Sequence, residues 1–115
     1  MQSFQPSDFT ILVVDDIAQN VHLLLEVLDN VGYNGTFAKS GKEALIRLEK
    51  VKIDLVLLDL MMPDMDGYEV CKRLKLINPD VKILIVSQLT SKEAIHQIME
   101  CGANGFFTKN SSPEL

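Results

Sequence analysis

Five polar side chains in this sequence stand at the ends of apolar runs and are suited to phosphate chemistry. Asp15 and Asp16 follow one such run, and Asp59 follows another. Ser87 and Lys109 stand at the ends of two further runs. Carboxylate oxygens are hard ligands that suit Mg²⁺ together with phosphate oxygens. Because an ammonium and a hydroxyl suit a phosphoryl group, these residue types indicate a site for a metal ion and a phosphoryl group.

The pattern of apolar residues predicts five strands that alternate with helices. The strands are expected at Thr10–Val14, Tyr33–Ala38, Asp54–Leu58, Val81–Val86 and Gly105–Thr108. The helices are expected at Asn20–Val31, from Ser40 through Lys50, at Asp66–Ile77 and at Ser91–Cys101, and the last of them places Ile98 and Met99 on its buried face. This alternation indicates an α/β fold with a doubly wound parallel sheet. Ligands of such sheets bind at the carboxyl ends of the strands, where the five polar side chains are expected to meet.

Taken one at a time, these residues have ordinary structural interpretations. Asp16 alone is typical of a helix N-cap, Ser87 of a turn and Lys109 of a solvated surface. A site is favoured because all five positions fall on the same edge of one predicted sheet.

Composition excludes several classes of protein. The 115 residues, 47% apolar and 23% charged, suit one globular domain. The net charge of −5, without long basic runs, argues against binding to nucleic acid or to an anionic membrane. No apolar run reaches the roughly 18 residues of a membrane span, and the polar stretch Met1–Asp8 is unlike a signal peptide. Cys71 and Cys101 are expected to be buried free thiols, which indicates a cytoplasmic location.

Four motifs together resemble the receiver domain of two-component response regulators, from Ile11 to Lys109. They are the aspartate pair after ILVV, the segment DLVLLDLMMPDMDGYE, the strand ILIVS and the segment GANGFFTK. The resemblance implies a flavodoxin-like, five-stranded parallel sheet in the order 2-1-3-4-5. Residues 1–9 would be an N-terminal extension and residues 10–115 the receiver domain. Because Ser112–Glu114 is typical of a helix start, we expect the chain to stop before its fifth helix.

The resemblance also implies a phosphorylation-dependent signalling switch rather than a turnover enzyme. Asp59 would accept a phosphoryl group from a histidine kinase or a histidine phosphotransfer protein. Lys109 would pair with the phosphoryl oxygens, while Ser87 and Phe106 would be the switch residues that respond to the new group. Mg²⁺ would be held by four oxygen ligands, from Asp15, Asp16, Asp59 and the main-chain carbonyl of Met61.

Partners follow from the same resemblance: an output domain or downstream protein, and a second copy in a homodimer, with no membrane and no direct nucleic-acid contact. Without a fifth helix, apolar sheet surface near Val13, Leu57 and Ile85 is expected to be uncovered.

Three other classes of protein require different residues at these positions. A metal-dependent phosphatase or phosphotransferase with an aspartyl nucleophile, as in haloacid dehalogenase-like enzymes, needs a second Asp where Met61 stands. A flavodoxin-like cofactor binder needs a phosphate loop rich in Ser, Thr or Gly after the first strand, where Asp15 and Asp16 would repel a phosphate. A pseudo-receiver, which is a pure interaction module, usually lacks the aspartate or the lysine at these positions. Both are present here, as Asp59 and Lys109.

Overall fold

A parallel sheet of five strands lies at the centre of the computed structural model, which describes residues 5–87 and 91–108. The strands are β1 (Thr10–Val14), β2 (Asn34–Ala38), β3 (Leu55–Asp59), β4 (Lys82–Ser87) and β5 (Gly105–Thr108). The helices are α1 (Ala18–Val31), α2 (Gly41–Lys50), α3 (Gly67–Ile77) and α4 (Lys92–Glu100). Over the described ranges, no helix combines the length and the apolar character that a membrane crossing requires.

The strand order is β2-β1-β3-β4-β5, which confirms the predicted doubly wound sheet. Every neighbouring pair of strands is parallel, as helical crossovers require. The register pairs Val14 with Leu58, and Asp59 with Val86. The carboxyl ends of β1, β3 and β4 therefore lie side by side, on the two sides of the point where the strand order reverses. Ligands of doubly wound sheets bind at this point.

Most helix ends lie at or next to the residues that local sequence signals predict, but α1 begins at Ala18, two residues before the predicted Asn20. Gly32 ends α1 with φ 105°, a left-handed conformation that glycine adopts without steric cost. The Ser40 side chain accepts a hydrogen bond from the Glu43 backbone N–H at the start of α2. Asp66 and Ser91 cap α3 and α4 in the same manner. These caps add polar contacts to the loop before α3, whose residues Leu60 and Met62 are also buried in the core.

The main hydrophobic core fills the space between the sheet and α2, α3 and α4. Its strand residues include Leu12, Val14, Val56, Leu58, Ile83 and Ile85, and its helix residues include Ala44, Leu48, Val70, Leu74 and Ile98. Cys71 and Cys101 are free thiols buried in this core, as predicted. Met99 is 55% exposed, so its predicted inward orientation is wrong. The buried face of α4 passes instead through Ala94 and Ile98, which are one helical turn apart.

The opposite face of the sheet is covered less completely by the described residues. The side chains of Leu55, Leu57, Leu84 and Val86 are only half-buried there. An open groove of about 330 Å³ runs from Asp15 and Asp59 to Phe107 along this face. The predicted uncovering of apolar surface is therefore correct for Leu57. It is wrong for Val13 and Ile85, which are both buried. Ile85 pairs in register with Leu58, so it points into the main core rather than beside Leu57.

The segment before β1 is partly folded onto the sheet. Pro6–Asp8 forms a short 3-10 turn. The Asn34 side-chain amide donates a hydrogen bond of 2.6 Å to the Ser7 carbonyl, and the Asn34 backbone N–H donates one of 3.1 Å to the Phe9 carbonyl. The end of the predicted N-terminal extension thus contacts the start of β2.

Candidate functional site

Three carboxylates meet at the carboxyl edge of the sheet. One oxygen from each of Asp15, Asp16 and Asp59 lies within 4.8 Å of the other two. Asp15 directly follows β1, and Asp59 is the last residue of β3. Each of these two side chains is 3% exposed, whereas Asp16 is exposed to solvent. The cluster therefore has two oxygen ligands inside the protein and one at its rim, and it matches the set of acidic residues predicted from the sequence.

Asp15 is held by hydrogen bonds from two directions. One of its oxygens accepts from the Ile17 backbone N–H at 3.0 Å. The other accepts from the Asn20 side-chain amide at 3.1 Å. Such bonds fix the orientation of a carboxylate before a metal ion arrives. Asn20 was predicted only as the start of a helix, and its contact with Asp15 is new. A polar side chain in the first turn of α1, five residues after Asp15, is a candidate for such a contact, but the spacing alone does not specify it.

Asp59 is connected to the loop that follows β3. Its Oδ1 accepts a hydrogen bond of 3.1 Å from the Met61 backbone N–H, while the Met61 side chain is 63% exposed. The main chain of Met61, rather than its thioether, therefore lies against the acidic cluster. This arrangement is compatible with the predicted use of its carbonyl as a metal ligand.

Ser87 and Phe106 lie on the strands next to Asp59. Ser87 is the last residue of β4 and is 1% exposed, and it directly follows Val86, the register partner of Asp59. Phe106 lies on β5 in register with Ile85 and is 37% exposed. Lys109 lies outside the described residues, and it directly follows the end of β5 in the sequence. The structure thus brings Ser87 to the edge that holds the carboxylates.

The chemistry of this edge is that of a cation site. Like charges within 4.8 Å repel one another, and two of these three groups are removed from the water that would screen them. A divalent cation with hard character relieves the repulsion, since it takes carboxylate, carbonyl and phosphate oxygens as ligands. The residues present therefore fit such an ion.

A fourth carboxylate holds the same loop at a greater distance from the cluster. The two oxygens of Asp64 accept hydrogen bonds from the backbone N–H groups of Gly41, at 3.0 Å, and Lys42, at 3.1 Å. Desolvation raises the pKa of Asp64, but these two bonds, with those from its own and the Met65 backbone N–H, outweigh it. The pKa of Asp64 consequently lies below its ordinary value of 3.8.

Acid is expected to remove the contribution of Asp64 to stability. Because folding lowers the pKa of Asp64, this contribution is present above about pH 4 and is lost as the pH falls through the folded-state value. Asp64→Ala should therefore lower the melting temperature at about pH 7 much more than at about pH 2. Thermal unfolding followed by circular dichroism at both pH values measures the difference. An equal decrease at the two pH values would contradict this linkage.

Fold and site together define a doubly wound α/β protein with a cluster of three carboxylates at the point where the strand order reverses. The sequence model of one protein family, the response regulator receiver domain, matches residues 11–115 of this chain. The chain belongs to this family, as its motifs predicted. Receiver domains are phosphorylation-dependent signalling switches of two-component systems.

Known proteins of similar sequence include a phosphotransferase and a transcriptional regulator. Sporulation initiation phosphotransferase F of Bacillus subtilis (strain 168) is 38% identical over 99 residues, which are 86% of this chain and 80% of that protein. The transcriptional regulatory protein ZraR of Salmonella typhimurium is 37% identical over 99 residues, again 86% of this chain. The chain spans only 22% of the length of ZraR.

Solved structures confirm the flavodoxin-like fold. A response regulator protein from Burkholderia pseudomallei, crystallised with a phosphorylated aspartic acid, a calcium ion and citrate, matches with a TM-score of 0.85 at 26% identity. That match covers 91% of this chain and 62% of the other. The CheX-CheY-BeF₃-Mg²⁺ complex from Borrelia burgdorferi matches with a TM-score of 0.84 at 28% identity, over 90% of this chain and 80% of the other.

Proposed function

We propose that this chain accepts a phosphoryl group on Asp59 in the presence of Mg²⁺ and changes conformation in response. The observation that carries the proposal is the meeting of Asp15, Asp16 and Asp59 within 4.8 Å at the switch point of the sheet. Asp59 is the acceptor because it ends β3 beside the buried Ser87, and because its carboxylate contacts the Met61 backbone.

The transfer exchanges one phosphorus bond for another. An Asp59 oxygen attacks the phosphorus of a phosphohistidine, the new O–P bond gives an acyl phosphate, and the N–P bond breaks with its electron pair on the imidazole. Mg²⁺ would be held by Asp15, Asp16, Asp59 and the Met61 carbonyl, where it would neutralise the charge that accumulates on the phosphoryl oxygens. The protein contributes positioning, because the hydrogen bonds from Asn20 and Ile17 keep Asp15 directed at the same point.

Three further residues are proposed to read the phosphorylated state. Lys109 would pair with a phosphoryl oxygen, since it follows β5 in the sequence and β5 lies next to β4. The Ser87 hydroxyl would donate a hydrogen bond to the same group from the end of β4. Phe106, partly exposed on the neighbouring strand, would then turn inward toward Ser87. New contacts at a phosphoryl group thereby alter a more distant surface.

Partners of this chain follow from the proposed switch. The phosphoryl donor would be a histidine kinase or a histidine phosphotransfer protein. The signal would pass to an output domain or a downstream protein.

We assign residues 10–115 to the receiver domain and residues 1–9 to an extension. A second copy is proposed to pair through the incompletely covered face of the sheet, near Leu57 and Phe107. The free thiols Cys71 and Cys101 support a cytoplasmic location.

The test is phosphorylation of the wild-type chain by a small-molecule phosphodonor such as acetyl phosphate. With Mg²⁺, intact mass spectrometry should show a single added phosphoryl group, a gain of roughly 80 Da. A metal chelator should prevent the gain, because the three carboxylates then repel the incoming anion. Peptide mapping should place the group on Asp59. A group on His22 or His96, or a gain that is independent of Mg²⁺, would contradict the proposal.

A further inference from the structure

The loop between β3 and α3 is attached to a helix that lies far from it in the sequence. Asp64 lies in this loop, and its side chain contacts the first residues of α2, 22 and 23 positions earlier in the chain. Oδ1 accepts from the Gly41 N–H at 3.0 Å and Oδ2 from the Lys42 N–H at 3.1 Å. Both oxygens of one carboxylate are thus engaged by a single helix.

The start of α2 is a favourable place for a carboxylate. The first backbone N–H groups of a helix have no partner within the helix, and the aligned peptide dipoles give this end a partial positive charge. Ser40 already accepts from the Glu43 N–H. Asp64 satisfies the two preceding N–H groups, so the first turn of α2 is paired only after the loop is in place. The helix and the loop therefore stabilise each other.

Close packing around Gly41 also restricts the position of the loop against α2. A Cβ atom added at Gly41 would lie 2.6 Å from Val70 Cγ2 and 3.1 Å from Met65 Cβ. Met65 belongs to the loop and Val70 to α3, so both elements are seated directly on the backbone of Gly41. The loop has no room to approach α2 in a different way without moving one of these neighbours.

We propose that Asp64 is a positioning residue for the phosphorylation site. By anchoring the β3–α3 loop to α2, it holds the Met61 backbone in place. This inference rests on the proposed function, because it concerns the metal ion and the acceptor named there. The loop is attached to Asp59 through the Met61 N–H and to α3 through the Asp66 cap. Met62 and Met65 also pack against the main core, and Asp64 adds a polar attachment of the loop to α2. Without it, Mg²⁺ has to order the loop as it binds, and this ordering weakens binding.

The experiment measures phosphorylation of Asp59 by acetyl phosphate as a function of Mg²⁺ concentration. Asp64→Ala should raise the Mg²⁺ concentration for half-maximal rate by about tenfold, the lower end of the effect typical of groups that orient metal ligands. The rate at saturating Mg²⁺ should stay within about twofold of wild type, because the metal then holds the loop itself. A merely structural role, in which part of the protein is unfolded, would instead lower the rate at saturating Mg²⁺.

Two further variants test the contact between Asp64 and the start of α2. Asp64→Asn keeps one oxygen acceptor but loses the charge and turns an NH₂ group toward the second backbone N–H, so its half-maximal Mg²⁺ concentration should lie between those of the wild type and Asp64→Ala. Gly41→Ala leaves the carboxylate intact but pushes Met65 and Val70 away, so it should raise the half-maximal Mg²⁺ concentration as Asp64→Ala does. Asp80→Ala is the control, since it removes an exposed carboxylate from the turn before β4, at the opposite end of the sheet.

The outcomes distinguish this inference from the function on which it depends. If the wild type takes up no phosphoryl group at any Mg²⁺ concentration, the proposed function fails. If the wild type is phosphorylated but Asp64→Ala responds to Mg²⁺ as Asp80→Ala does, the inference about Asp64 is overturned.

Discussion

Asp59→Asn is expected to abolish phosphorylation by a small-molecule phosphodonor. An amide oxygen is a far weaker nucleophile than a carboxylate oxygen, and the variant also loses one anionic ligand of the proposed Mg²⁺ site. Intact mass spectrometry after incubation with the donor and Mg²⁺ should show unmodified protein. Asp66→Asn is the matched control, since asparagine caps a helix about as well as aspartate and the change lies in the same loop. Loss of the phosphoryl group in both variants would mean that folding of the loop, and not the Asp59 carboxylate, decides the result.

The same substitution is expected to stabilise the metal-free protein. Asp15, Asp16 and Asp59 repel one another within 4.8 Å, and asparagine removes one of the three charges while its oxygen can still accept from the Met61 N–H. The expected gain is about 1 kcal/mol, or about 4–8 °C in melting temperature for a domain of this size. Mg²⁺ should raise the melting temperature of the wild type more than that of the variant. A variant that melts below wild type in the presence of a chelator would disprove repulsion as the dominant effect.

Gly67→Ala is expected to destabilise the fold more than any surface change in the same loop. A Cβ atom at this position would lie 2.6 Å from Leu60 Cα and 3.0 Å from the Leu60 carbonyl oxygen. These are backbone atoms of the residue that follows β3, so the clash is relieved only by moving α3 or the loop that carries Met61. The expected cost is about 2–3 kcal/mol after the small gain in helix propensity, or about 10 °C in melting temperature.

Gly35→Ala is the matched control for this effect. Its added Cβ atom would meet Leu25 Cδ2 at 2.8 Å, which is the tip of a flexible side chain, and Gly35 lies on the exposed edge strand β2. A rotamer change at Leu25 relieves the contact, so the expected cost is below about 1 kcal/mol. Chemical denaturation of the three proteins gives the comparison. Equal stability of Gly67→Ala and Gly35→Ala would show that the backbone at Leu60 yields as easily as a side chain.

The secondary structure could be predicted because it depends on local signals. Within the described residues, apolar periodicity located the four α-helices and five strands, and Gly32 and Ser40 ended and began their helices as expected. The strand boundaries differ by one residue, because β3 ends at Asp59 and β4 ends at Ser87 instead of one residue earlier. A strand ends where its pairing ends, and pairing depends on the neighbouring strand. The exposure of Met99 and of Ile85 was predicted wrongly for a related reason. Whether a side chain is buried depends on which element packs against it.

The amino-acid sequence by itself determined the chemistry of this protein and the edge of the sheet where that chemistry lies. Residue types at strand ends decide which groups are available, and parallel strands bring those ends together whatever the details of packing. Only the tertiary structure decided which groups hold the acidic residues in place. Asn20 contacts Asp15 through the packing of α1 against β1, and Asp64 contacts Gly41 and Lys42 across 22 to 23 residues of chain. Such hydrogen bonds require distances and angles that arise only when separate elements are packed together, so residue spacing alone does not specify them.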